Sequence, residues 1–286
     1  MPQSNSDENT MVPSIVLRNI TMDYPVKSEE KRFGWDKVRA LDGINLVLYE
    51  GQSVGFFGQN GSGKSTMMRI IAGAEKPTVG EVLVKSQPTL MGVRAALQPR
   101  LSGAKNIRIG CLAMGMSPEE TKSAFPGIVE LADIGDAIDR PMNTYSSGQG
   151  ARLGFSIGLA TNPEILIVDE TLSTGDAAFA QRAEAKMKSL INSAGTVLLV
   201  SHSPKQLETM CDRGVWVHEG RIIADGDVTN IAKAYREWAK LKGRNKRKEA
   251  ENLIKQIANG YQSPSICLKE AGSEDSGCGS GTNSQM

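Results

Sequence analysis

Long apolar runs are scarce in this sequence. The longest stretch without a charged side chain, Ser189–Pro204, has 16 residues and is interrupted by Asn, Ser, Gly, His and Pro. A helix that crosses a bilayer takes about 20 mostly apolar residues, so no spanning helix is expected. The opening decapeptide, Met1–Thr10, is polar and has no apolar core, which argues against a secretory leader. An excess of one charge is missing too. Lys plus Arg number 33 and Asp plus Glu 32, a net charge of +1. A surface devoted to nucleic acid is therefore not expected. The four cysteines, Cys111, Cys211, Cys267 and Cys278, show no metal-ligand spacing, which excludes structural zinc and leaves a reduced, cytosolic chain as the expectation. Internal repeats and sustained heptads are absent.

What is present is enough apolar material for a core: 40% of 286 residues, fitting one large domain or two small ones. Residues 1–13 are polar and expected to be disordered. A strand is predicted over Ser14–Ile20. Ile44, Leu46 and Leu48 alternate with Asn45, Val47 and Tyr49, the period of a half-buried strand. Between these, Pro25–Arg39 is mixed in charge around Phe33 and Trp35 and reads as an inserted loop or short helix. Ser53–Phe57 is a short apolar strand, and Thr66–Ala72 a helix closed by Gly73. Ser117-Pro118-Glu119-Glu120 carries a cap serine, proline at the first helical position and glutamate three residues after the cap, a helix start. Ile165–Val168 and Thr196–Val200 are continuous apolar runs suited to central parallel strands, with a helix over Phe179–Ile191 between them. Val215–Val217 and Arg221–Ala224 flank Glu219-Gly220 as a hairpin. Ile231, Ala234, Tyr235, Trp238 and Leu241 mark an amphipathic helix. Residues 236–255 carry a net charge of +5 on eight basic and three acidic side chains, and from Gln262 onward the chain is rich in Ser and Gly.

The chemistry lies in Gly58-Gln59-Asn60-Gly61-Ser62-Gly63-Lys64-Ser65, which matches G-x-x-x-x-G-K-[ST]. Glycines let the backbone curl so that successive N–H groups converge on phosphate oxygens. Those groups lie at a helix N-terminus, which favours an anion. Lys64 offers positive charge to outer phosphates, and Ser65, with Thr66 beside it, suits Mg²⁺. The motif follows an apolar strand and opens a helix, as a phosphate loop must. A second element is Ile165-Leu166-Ile167-Val168-Asp169-Glu170, a buried strand releasing two carboxylates at the end where parallel sheets bind ligands. Asp169 fits a hard cation, and Glu170 an acceptor for the proton of an attacking water. By itself, such a pair reads equally as a solvated loop.

Tyr145-Ser146-Ser147-Gly148-Gln149 and a strand ending in His202 complete the set. With them the chain resembles the nucleotide-binding subunits of ABC transporters over about residues 15–225. The family order is phosphate loop, signature motif, apolar strand with Asp-Glu, Asp-containing loop, and strand ending in His. Here the loop aspartate is Asp176 in Ser173-Thr174-Gly175-Asp176. The resemblance implies an α/β P-loop NTPase with a mixed sheet core, an antiparallel β part and a helical subdomain at about 98–163. It implies ATP and Mg²⁺ as ligands, Glu170 and His202 at the reacting phosphate, and Ser65 and Asp169 at the metal. It also implies a head-to-tail homodimer, in which Lys64 of one subunit and Ser146, Ser147, Gly148 and Gln149 of the other hold one ATP, with Asp176 beside them. Alone, the signature segment reads as a helix cap. Tyr24 fits either an aromatic that stacks on adenine or a packed strand-end tyrosine, and His218 reads as structural. One departure concerns the family's glutamine after the strands that follow the phosphate loop. Its place falls near Gly92, flanked by Gln87 and Gln98, and neither takes the role by position.

Within that family, Tyr145-Ser146-Ser147-Gly148, Ala151-Arg152-Leu153-Gly154-Phe155-Ser156, Asn162-Pro163-Glu164-Ile165-Leu166 and Leu172-Ser173 with Gly175-Asp176 and Phe179-Ala180-Gln181 resemble teichoic-acid and lipid-linked polysaccharide exporter ATPases. The resemblance implies a subunit on the cytoplasmic face of the cell membrane, an integral-membrane permease partner and a lipid-linked glycopolymer cargo. Capsule, O-antigen or galactan export stands as the alternative, with a soluble ABC-type ATPase or an importer subunit behind it. The expected division is an ATP-binding domain over 14–245 and a basic helical extension with a disordered tail over 246–286. The insert around Trp35 reads either as a solvated loop or as a contact with lipid headgroups or the permease.

Overall fold

The computed structural model describes residues 11–27, 35–91, 97–169, 177–192, 195–201 and 203–267. Strand β1 (Pro13–Lys27) pairs antiparallel with β2 (Trp35–Tyr49) from Pro13 opposite Tyr49 to Lys27 opposite Trp35. In β2, Ile44, Leu46 and Leu48 are buried while Asn45, Val47 and Tyr49 are partly exposed, so the period-2 expectation holds. The expected loop or short helix over Pro25–Arg39 does not hold at its two ends. Tyr24 to Lys27 and Trp35 to Val38 instead continue the ladder in register, and the remainder of the insert lies outside the described residues. Mixed charge hid this extension, because its side chains face water and only backbone pairing keeps the strands together. Pro25 is tolerated because β1 is paired on its other side only as far as Thr21, leaving an open edge where a missing N–H costs nothing.

Strand β3 (Ser53–Phe57) is wholly buried and leads into helix α1 (Lys64–Ile71). This helix begins two residues before the expected Thr66, placing Lys64 and Ser65 in its first turn. Strand β4 (Val79–Val84) joins β1 to complete a three-stranded antiparallel sheet ordered β2-β1-β4. After the two-residue β5 (Thr89–Leu90), the chain enters a helical lobe built from α2 (Gly103–Ala113), α3 (Pro118–Ala132) and α4 (Ser147–Ala160). Their shared core contains Ile107, Cys111, Ile128, Leu153 and Ile157.

The chain then alternates through β6 (Ile165–Asp169), α5 (Ala177–Asn192), β7 (Thr196–Val200), α6 (Pro204–Met210) and β8 (Arg213–His218). A tight turn leads to β9 (Arg221–Asp227), followed by α7 (Val228–Gly243) and α8 (Arg247–Gly260). The second sheet is ordered β5-β6-β7-β3-β8-β9, parallel except for β9. Apolar residues cover both of its faces. One cluster, with Leu17, Leu46, Phe56, Met67 and Val215, lies toward the antiparallel sheet and α1; another, with Leu166, Leu199, Trp216 and Trp238, lies toward the later helices. Burial on both faces explains the uninterrupted apolar runs of β3, β6 and β7. Pro13, counted with the disordered start, is the first residue of β1, and the expected boundary at 246 falls in the turn before α8. The residues Leu253, Ile254, Ile257 and Ala258 of α8 pack on the Trp216 cluster.

The start of α3 follows the expected chemistry. Ser117 Oγ accepts the Glu120 N–H at 3.2 Å, and the Glu120 carboxylate accepts the Ser117 N–H at 2.7 Å. These bonds hold the Glu120 carboxyl below the usual range. Such a carboxyl favours the folded chain above its ordinary pKa, an effect lost as pH falls through the lowered value. Ser117→Ala is expected to cost about 1 kcal/mol of unfolding free energy and to return Glu120 toward its ordinary titration. Chemical denaturation and an NMR pH titration check the two effects; an unmoved Glu120 would remove the reciprocal cap.

Candidate functional site

Helix α1 starts without a cap. Gly63, at its N-cap position, has φ +106° and supplies no side-chain acceptor, and the first turn holds no acidic residue. The leading N–H groups of the helix are thus presented as a positive end. Backbone geometry makes glycine necessary here. A Cβ on Gly63 would lie 2.6 Å from the Ala40 carbonyl oxygen and 2.7 Å from Leu41 Cδ2.

The loop before the helix curls on itself. The Ser62 N–H donates to the Gln59 carbonyl at 3.1 Å. Lys64 is buried, with its ammonium donating to the carbonyls of Gly58 at 2.6 Å and Gln59 at 2.8 Å. Ser62 is also buried, and its Oγ has no hydrogen-bond partner among the described residues. A cavity of about 410 Å³ opens in front, lined by Ala40, Asn60, Gly61, Gly63, Lys64, Ser65, Thr66 and Val200. Lys64 and Thr66 are buried in its wall, while Ser65 is exposed. An uncapped helix end and a buried ammonium around one opening suit a polyanion.

The second sheet brings the other elements near. Asp169 is the register partner of Val200, and Val200 lines the cavity; β7, carrying Val200, lies directly beside β3. The end of the Asp-Glu strand therefore lies one strand beyond a wall of the cavity. Glu170, Asp176 and His202 lie outside the described residues.

The β8–β9 turn supports the loop, a feature sequence reading missed. Gly220 donates its N–H to the Ser62 carbonyl at 3.0 Å, and its own carbonyl accepts the Asp42 N–H at 2.9 Å. Glu219 and Gly220 have φ values of +47° and +77°, the backbone of a two-residue turn that matches strand twist. Asp42 in turn accepts from Arg221 Nε at 2.8 Å and Arg39 Nη1 at 2.9 Å. The two guanidiniums, Arg221 foremost, hold its carboxyl below the usual range. Nothing in the hairpin's sequence signalled that it would end against a phosphate loop.

Tyr24 reaches the same neighbourhood. Its phenol donates to Glu75 Oε2 at 2.5 Å. Burial, then Glu75, raises its pKa. It does not line the loop cavity.

The signature segment lies elsewhere. Helix α4 begins at Ser147, with Ser146 as its N-cap. Ser146 Oγ accepts the Gln149 N–H at 3.2 Å, and Gln149 Oε1 accepts the Ser146 N–H at 3.0 Å. Those two side chains cap their own helix, while Ser147 is exposed in its first turn. None of Ser146, Ser147, Gly148 and Gln149 lines the cavity at Lys64. Tyr145 anchors the segment: its hydroxyl donates to the Ala137 carbonyl at 2.6 Å. Gly103 admits that ring, since a Cβ there would lie 2.3 Å from the Tyr145 oxygen.

Of the flanking glutamines, Gln87 has a side-chain partner and Gln98 is held by its backbone. Gln87 Nε2 donates to the Ala72 carbonyl at the end of α1, and the Gln98 backbone is bracketed by the Asn106 side chain. Their expected neighbour Gly92 lies outside the described residues. His218 packs edge-on against Trp238, and burial lowers its pKa. A larger cavity of about 690 Å³ lies between the β8–β9 hairpin and α8. Its charged pair, Arg213 and Asp225, is satisfied internally at 2.7 Å, leaving no uncompensated cation for a phosphate. Among the described residues no group of three or more His, Cys, Asp or Glu is placed to hold a metal, and no helix is long and apolar enough to cross a membrane.

The family profile of ABC transporters matches residues 41–173. The teichoic acids export ATP-binding protein TagH of Shouchella clausii is 38% identical over 239 residues, covering 80% of this chain and 66% of that protein. TagH of Listeria innocua is 39% identical over 214 residues, covering 75% of this chain and 63% of that protein. The chain thus spans somewhat less than two thirds of the length of these relatives. Among solved structures, a bacterial ABC transporter cassette determined as a dimer superposes with a TM-score of 0.64 at 25% identity, covering 75% of this chain and 98% of that one. The ATP-binding subunit of another ABC transporter superposes at 0.67 with 20% identity, covering 78% and 93%, a likeness of fold alone. Residues 41–173 thus carry the domain of the ABC transporter family, and the chain takes the fold of that family's ATP-binding cassettes.

Proposed function

We propose that this chain is the ATP-hydrolysing subunit of an exporter that moves a lipid-linked, teichoic-acid-type glycopolymer across the cytoplasmic membrane. The uncapped start of α1, facing a cavity walled by buried Lys64, carries the nucleotide part of this reading. The polymer part is supported by the TagH relatives. The chain occupies the cytoplasmic face of the membrane as a peripheral subunit, with an integral-membrane permease as partner and no role for nucleic acid. Its ATP-binding domain runs from 14 to 245, with the helical subdomain at about 98–163.

Each residue then has a task. The N–H groups of Gly58 to Ser65 and the start of α1 receive the phosphates. Lys64 exchanges the Gly58 and Gln59 carbonyls for outer phosphate oxygens, a short move for a flexible chain already at the cavity wall. Tyr24 stacks on adenine. Ser65, exposed in the cavity wall, and Asp169, in register with Val200, offer the oxygen ligands that Mg²⁺ requires. Bound there, the ion supplies charge neutralisation on the triphosphate. Glu170 accepts the proton of the attacking water as its oxygen bonds to the terminal phosphorus and the bridging oxygen departs with ADP. His202 contacts that terminal phosphate.

A single subunit leaves the signature unused, because Ser147 is exposed and away from its own Lys64 cavity. A head-to-tail dimer pairs the two. Ser146, Ser147, Gly148 and Gln149 of one copy close over the ATP held by Lys64 of the other, with Asp176 at the seam. The dimeric state of the solved bacterial cassette supports this arrangement. Binding draws the copies together and cleavage releases them, which gives the permease a stroke.

Glu170→Gln is expected to retain ATP binding and lower turnover about 100-fold or more, leaving an ATP-bound dimer visible by size-exclusion chromatography. Normal turnover would remove Glu170 from its role. Lys64→Ala should weaken nucleotide binding about 10- to 100-fold, as expected for charge-assisted bonds, measured by calorimetry. Gly63→Ala should do at least as much damage, since its methyl meets backbone at Ala40. For export itself, purification from membranes should bring down a multi-helix permease; a stable assembly without one would refute that part.

A further inference from the structure

Helix α7 is tied to the phosphate loop by a chain of contacts that the proposed mechanism does not use. Tyr235 packs on Phe57, the last residue of β3, with ring centroids 5.7 Å apart, and on Trp216 at 5.2 Å. Trp238 is buried against Trp216 at 5.7 Å and meets His218 at 6.0 Å. One turn further along, the Lys242 ammonium stands 5.3 Å above the Trp238 ring and donates to Gln59 Oε1. Gln59 is the second residue of the phosphate loop. Its own carbonyl accepts both the Ser62 N–H at 3.1 Å and Lys64 Nζ at 2.8 Å. Its side chain is thus pinned from outside while its backbone is held from within.

We propose that Lys242 is a positioning residue for nucleotide binding: it fixes the Gln59 end of the phosphate loop in the shape that receives the phosphates. This inference rests on the nucleotide-site reading above. Its physical basis is what happens when Lys64 turns to a phosphate. The Gly58 and Gln59 carbonyls then lose the ammonium, and the Ser62 N–H is left as the inner hold on Gln59. Lys242 holds it through the side chain, and Trp238 holds Lys242 by a cation–π contact that a buried indole supplies without moving. Ordering of the loop is thereby achieved before the ligand arrives, which favours affinity. Lys242 touches no reacting atom, so the chemical step should be little affected. Helix α7 also lies outside residues 41–173, the span matched by the family profile.

The test compares wild type, Lys242→Ala, Lys242→Arg, Gln59→Ala and the double variant in the full chain. ATP affinity is read by calorimetry, KM and kcat by steady-state hydrolysis, and folding by thermal melting. Lys242→Ala should raise Kd and KM about three- to tenfold, the range of one hydrogen bond, with kcat within about twofold and the melting profile retained. Lys242→Arg should recover most of the loss. Gln59→Ala should match Lys242→Ala, and the double variant should be no worse than either alone, the mark of two groups acting through one contact. Wild-type affinity in Lys242→Ala, losses that add in the double variant, or a fall confined to kcat would each overturn the assignment. A wild-type chain that binds no nucleotide would sink the site reading and this one together. Wild-type binding with an indifferent Lys242→Ala would sink this one alone.

Discussion

A helix whose first turn has no side-chain cap leaves its leading N–H groups in want of acceptors, and much of this structure fixes where α1 presents them. Ordinary helices meet the demand with their own residues, as Ser117 does for α3 and Ser146 for α4. At α1 no residue does so. Gly63 offers no acceptor, Lys64 folds back onto carbonyls of the loop, and Ser62 keeps a buried hydroxyl without a partner. Such a group is costly where water is excluded. The fold bears the cost because the loop is held on several sides: by wholly buried β3, by the Gly220 turn and by the side chain of Lys242.

Support of this kind separates two sorts of residue around the site. Lys64, Ser65 and Thr66 line the cavity and meet whatever enters it. Gly220, Asp42, Arg221 and Tyr145 never need to touch a ligand. Gly220 and Asp42 determine where the loop sits, and Tyr145 where the signature helix begins. The ionic cluster of Arg39, Asp42 and Arg221 is largely exposed and contributes little energy by itself. Its value is geometric: it ties β2 to the hairpin that carries Gly220. The signature helix is independent of all this, with its own cap and its own lobe. Its exposed Ser147 therefore suits a partner subunit better than its own loop.

Much of this was legible before any coordinates. Ser53–Phe57 and Thr196–Val200 announced themselves as apolar runs, and Ser117 to Glu120 declared a helix start through local chemistry. The phosphate loop was legible because glycine spacing, a lysine and a preceding strand are all local. The Pro25–Arg39 segment was misread for the opposite reason. Its strands are held by backbone pairing to each other and bury little, so no hydrophobic period marks them. At Ser146 the helix cap read from the segment alone is what the chain shows, through its reciprocal bonds with Gln149.

Sequence alone determined which motifs the chain carries and in what order along it, because such motifs are residue types at short fixed spacings. It also determined the class of β3, β6 and β7, since burial on two faces leaves an unbroken apolar run. Only the tertiary structure decided what stands behind the loop. Gly220 lies 158 positions after Ser62, and Lys242 lies 183 after Gln59. No periodicity links residues so far apart; the order of the strands β3, β8 and β9, and the packing of α7 on them, brings them together.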